Sequence, residues 1–81
     1  MKTTNIDTPD IMIYVHPELS EDDRSKIEKD VRARAGVISA HFDQHRHPHA
    51  LTVLYNLDAI NEKEILASVR KYDPAASMVG L

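Results

Sequence analysis

The stretch Val37–Leu57, VISAHFDQHRHPHALTVLYNL, decides the architecture. Its first seven residues, VISAHFD, and its last eight, ALTVLYNL, are rich in β-branched and aromatic side chains and read as two strands. Between them runs a polar interval dominated by histidine: four of the five histidines in the chain lie within His41–His49, HFDQHRHPH. Two strands joined by so short a polar connection form a hairpin, with the histidines at and between the joined ends. The segments on either side of this hairpin then determine the fold.

Upstream, in DIMIYVHP, Ile11, Ile13 and Val15 alternate against Met12, Tyr14 and His16, the pattern of a strand with two unlike faces. Pro17 ends it. Ser20 is placed as a helix N-cap, with Asp23 as its capping-box partner, and Glu21, Asp22 and Asp23 stand where the helix dipole favours carboxylates. The helix continues through Ile27, Val31 and Ala35, one apolar stripe, to a stop at Gly36. Downstream, DAINEKEILASVRKY is a second helix with Ile60, Ile65, Leu66 and Val69 as its apolar positions and Asn61 or Asp58 as cap. Asp73-Pro74 breaks it, and ASMVGL is a short last strand. The order is β-α-β-β-α-β, which predicts an α+β ferredoxin-like sandwich: a four-stranded antiparallel sheet with two helices on one face. Residues 1–9 read as a flexible lead and 10–81 as a single domain.

Composition narrows the function. Eighty-one residues hold one core, and 42% hydrophobic with 28% charged residues is ordinary for a soluble protein. A net charge of -3 argues against nucleic acid as a partner, although protonating all five histidines would turn it to +2. Without cysteine there is no disulfide and no thiolate ligand or nucleophile. No secretory signal and no run of about 20 apolar residues is present, so a cytoplasmic protein that spans no membrane is expected. With two glycines there is no phosphate-binding loop, and no nucleophile–base pair stands at an interpretable spacing, so the chain does not read as an enzyme.

Over nearly all of residues 10–81 the chain resembles the heavy-metal-associated domain family of small copper and zinc modules. IEKDVRARAGV looks like the family's V-E-K-A-L-x-x-L-P-G-V, ALTVLYN like its A-x-V-x-Y-D strand, and ILASVRKYDPAASMVGL like its L-x-x-A-I-x-x-A-G-Y-x-A-x-L ending. The resemblance implies the ferredoxin-like fold and metal handling. It also exposes a departure. The family's C-x-x-C pair falls at Ser20 and Asp23, where the sequence reads Ser20-Glu-Asp-Asp23. A hydroxyl and a carboxylate are not soft ligands, so capture of Cu(I) by that loop is lost. A hard-cation site at Glu21, Asp22 and Asp23 is disfavoured, because consecutive carboxylates on a helix start point apart.

Imidazole is the donor that remains. His45, His47 and His49 form H-x-H-x-H, and in extended chain residues two apart lie ~6.5–7 Å apart on the same side. Imidazoles so spaced converge on one ion, with His41 or Asp43 completing the shell, and such a donor set suits Zn(II), Ni(II), Cu(II) or Co(II). The competing reading is a polar hairpin tip with incidental histidines. If Ala40 and Phe42 face the helices, then His41, Met12, Tyr14 and Leu54 share the open face of the sheet. With Ile38 they would form an apolar surface for a homodimer or a protein partner. On that face His41 could also serve as an axial haem ligand, a lesser alternative. His16, beside Pro17, reads as a loop residue.

Overall fold

Alternation along the first strand sets the two faces of the sheet. Ile11, Ile13 and Val15 are buried, while Tyr14 is 38% exposed and Met12 is half-buried. The computed structural model describes residues 9–43 and 47–79, and for Asp43, His47, Pro48 and Val79 the backbone alone. Six elements follow in order: β1 (Asp10–Tyr14), α1 (Glu21–Arg32), β2 (Val37–Asp43), β3 (His47–Tyr55), α2 (Glu62–Arg70) and β4 (Ser77–Val79). The strands form one antiparallel sheet in the order β2-β3-β1-β4, with both helices on one face. The expected ferredoxin-like sandwich is the observed fold.

The core lies between the helices and one side of the sheet. Ile27 and Val31 of α1 and Ile65 and Val69 of α2 are fully buried against Ile13, Leu51, Val53 and Tyr55. Each such aliphatic side chain contributes about 1.5–3 kcal/mol relative to exposure. Ser20 caps α1, its Oγ accepting the Asp23 N–H at 3.1 Å. Of the two candidate caps for α2, Asn61 is the one used, in a reciprocal capping box with Glu64. Asp58 instead sits in a turn, its N–H bonded to the Asn56 side chain.

Two expectations need correction. The first helix ends at Arg32 rather than reaching Ala35, which is exposed and outside the apolar stripe. Gly36 does take a left-handed backbone, φ +97°, but it serves the turn into β2 rather than capping the helix. It is also a point of close approach: a Cβ there would lie 2.8 Å from the Ala59 Cβ and 2.9 Å from the Ile60 Cγ2. Secondly, β3 begins at His47, so His47 and His49 belong to a strand and not to a turn.

Two irregularities shape β2 and β3. Val37 pairs with Tyr55 and Ser39 with Leu54, which leaves Ile38 as an extra residue, 55% exposed. Towards the hairpin, Phe42 pairs with Leu51 and Asp43 with His47, so Pro48–Ala50 have no partner on β2. β1 takes up part of that gap: Tyr14 pairs with Ala50, and the Val15 N–H donates to the His49 carbonyl at 2.9 Å.

Candidate metal centre

Three connections meet at one pole of the sandwich. The antiparallel register brings the end of β1, the start of β3 and the start of β4 side by side. The β1–α1 loop, the β2–β3 hairpin and the α2–β4 loop therefore share that end. Hydrogen bonds tie them together. The His16 N–H donates to Asp73 Oδ2 at 2.7 Å, and the Ala75 N–H donates to Asp73 Oδ1 at 3.1 Å. Asp73 is 6% exposed, so this carboxylate is committed to two backbone donors. A residue expected only to break a helix thus fastens the first loop to the last. Its partner lies 57 positions away, and the one local signal was an acidic residue before proline.

The first loop itself is occupied with its own folding. His16 is exposed, and its Nδ1 accepts the Glu18 N–H at 3.0 Å, while the Leu19 N–H bonds the His16 carbonyl. That bond occupies Nδ1 and leaves only Nε2 for an outside partner. The Ser20 hydroxyl is engaged in the cap described above, and the Leu19 carbonyl accepts from Arg24 at 2.9 Å. Where the resemblance would put two thiolates, the chain has a helix cap. Such a donor set does not fit a soft ion.

The histidines of the hairpin divide between faces. His41 pairs with Thr52 and is exposed on the open face of the sheet. His49 stands opposite Val15, whose side chain is in the core, so alternation turns His49 toward the helices. It is half-buried, and its Nδ1 is buried without a hydrogen-bond partner among the described residues. A buried imidazole nitrogen normally has a donor or acceptor in reach, which sets His49 apart from the exposed His16 and His41. His41 and His49 are therefore not brought together, whereas Asp43 and His47 face each other across the hairpin ladder as backbone partners. His45 lies outside the described residues, as do the side chains of Asp43 and His47. Among the described residues no group of three or more His, Asp or Glu is poised to hold a metal.

On the open face, Tyr14 and Ile38 are exposed and Met12 and Leu54 are half-buried. Ala50, on the same face by register, is fully buried beside Tyr14. Among the described residues no helix is long and apolar enough to cross a membrane. At the far pole, the Tyr55 hydroxyl donates to Glu62 Oε2 at 3.3 Å. Burial, and then the Glu62 charge and hydrogen bond, push its pKa up from the usual tyrosine value.

No protein-family profile matches the chain. No curated protein matches it either. Solved structures do. A copper binding domain from HMA7, a P-type ATPase, superposes with a TM-score of 0.73 at 14% identity, covering 88% of this chain and 93% of that domain. The solution structure of a putative copper-ion-binding protein from Bacillus anthracis str. Ames gives 0.71 at 14%, covering 89% and 96%. The yeast copper transporter domain CCC2A gives 0.71 at 15%, covering 88% and 94%. At such identity these likenesses speak for the fold alone.

Proposed function

We propose that this domain binds a borderline transition metal ion, Zn(II), Ni(II), Cu(II) or Co(II), through the histidines of its β2–β3 hairpin. The observation that carries the reading is the Nδ1 of His49, a buried nitrogen with no partner among the described residues, near the start of a histidine-rich strand. Two further histidines, His47 and His45, precede it at a spacing of two. The three structural neighbours described above are named for copper, which supports metal handling by this chain. The absence of cysteine argues for imidazole chemistry in place of thiolate chemistry. Of the residues that could complete the shell, Asp43 is favoured over His41, because Asp43 is the backbone partner of His47 and His41 is on the face opposite His49.

The test is a titration of metal-free protein with Zn(II), Ni(II) and Cu(II), followed through the imidazole NMR signals at pH 7.5. Saturable shifts confined to His45, His47 and His49 at micromolar metal are expected, abolished when the three are changed to Ala and retained in His41→Ala. Weak, diffuse broadening of all five histidines would overturn the reading. Each ligand must be a neutral imidazole, so affinity should fall as pH is lowered and protons compete with the ion for the ring nitrogens.

A second reading is favoured by a separate observation, the 55% exposure of Ile38 and 38% exposure of Tyr14 on the open face. Together with Met12 and Leu54 they form a surface suited to a second copy or a protein partner, and this reading needs none of the hairpin histidines.

A further inference from the structure

β2 is an edge strand, and its outward-facing backbone should be free. At its centre it is not. The Phe42 N–H donates to Glu28 Oε2 at 2.7 Å, and Arg32 Nε donates to the Ala40 carbonyl at 2.8 Å. The two side chains are one turn apart on α1 and pair with each other at 3.6 Å. Together they offer β2 one acceptor and one donor, placed on either side of His41.

That arrangement has a counterpart in sheet geometry. A residue on a strand running parallel to β2 and opposite position 41 would donate its N–H to the carbonyl of residue 40 and accept the N–H of residue 42. The guanidinium and the carboxylate reproduce both bonds with side chains. Nothing in the local sequence pattern pairs α1 with Ala40 or Phe42, so this contact is visible only in the structure.

We propose that Glu28 and Arg32 are a guard that imitates one residue of an incoming strand, and so closes the β2 edge to addition of a second copy of this chain. The occupant follows from the edge itself. Once the guard is removed, the Ala40 carbonyl and the Phe42 N–H need partners, and in a solution of this protein alone the available strand is another exposed edge. Since β2 also carries the exposed Ile38 on its open side, an added strand would have apolar surface to cover as well. The proposal is independent of metal binding.

The test compares wild type with Glu28→Ala/Arg32→Ala and with Glu28→Gln/Arg32→Lys, by light scattering over one concentration series. The alanine pair is expected to rise toward twice the 9.2 kDa chain mass at concentrations where wild type does not, while the conservative pair, which keeps a donor and an acceptor, follows wild type. An alanine pair that is folded and matches the wild-type mass throughout would overturn the proposal. If that variant does not fold, amide exchange in the wild-type protein decides. Protection of the Phe42 N–H comparable to that of ladder amides on β3 is expected, and exchange at a free-edge rate would refute the guard.

Discussion

His49 holds a polar atom where the core wants none. A buried nitrogen left without a partner, as this one is among the described residues, costs about 1–3 kcal/mol of desolvation, so in metal-free protein His49→Leu should be at least as stable as wild type in urea unfolding, and more stable if the site packs well. Loss of more than about 1 kcal/mol on that change would mean the ring is held by packing and that the orphan nitrogen is no reserve for a ligand. Tyr55 makes the opposite kind of statement. Its pKa is raised in the folded protein by burial and by Glu62, so the folded state keeps the phenolic proton better than the unfolded chain. That contribution is whole below pH ~10 and is lost as pH climbs from there through the folded value. Tyr55→Phe should therefore flatten the alkaline side of the stability profile, and an unchanged slope above pH ~10 would refute the assignment. At Gly36 the demand is steric. With φ at +97° and a prospective Cβ 2.8 Å from that of Ala59, Gly36→Ala should cost more than about 2 kcal/mol, read from the shift in unfolding midpoint.

The elements show where local pattern sufficed. The alternation of Ile11, Ile13 and Val15, the Ser20 cap and the hairpin were legible because each is written within a few consecutive residues. The order of those elements was enough to predict the sandwich. Boundaries were less legible: Ala35 continued the apolar spacing of Ile27 and Val31, yet the chain must turn at Arg34–Gly36 to bring β2 beside α1, and tertiary geometry overrode the period. The candidate site was legible only as composition. Which histidine faces which side depends on the register shift between Phe42 and Asp43, and the Asp73 latch and the Glu28–Arg32 pair join distant segments. Both helices begin on side-chain caps, and for α2 the cap is reciprocal. Asn61→Ala should destabilise by about 1 kcal/mol, with the loss confined to exchange protection in the first turn of α2.

For the molecule as a whole, the two proposed functions fall on separate surfaces, the hairpin pole and the open face of the sheet. Changing Tyr14 and Ile38 together to Glu alters the open face alone, so metal uptake by the hairpin should be unchanged while any self-association through that face disappears. A variant with the wild-type mass distribution would sink the interface reading. The strand order carries a last consequence, in time rather than in space. β1 lies between β3 and β4, and both of its neighbours come later in the chain, whereas β2 and β3 are adjacent in sequence and in the sheet. The hairpin can close over a short loop, but β1 must wait for β3 about forty residues on and for β4 more than sixty on, which makes this inner strand a late arrival in folding. Pulse-labelled exchange during refolding should find the amides of β2 and β3 protected before those of Ile11 and Ile13. The histidine hairpin would then be the first part of the domain to take shape, present and able to meet an ion before the core beneath it has closed.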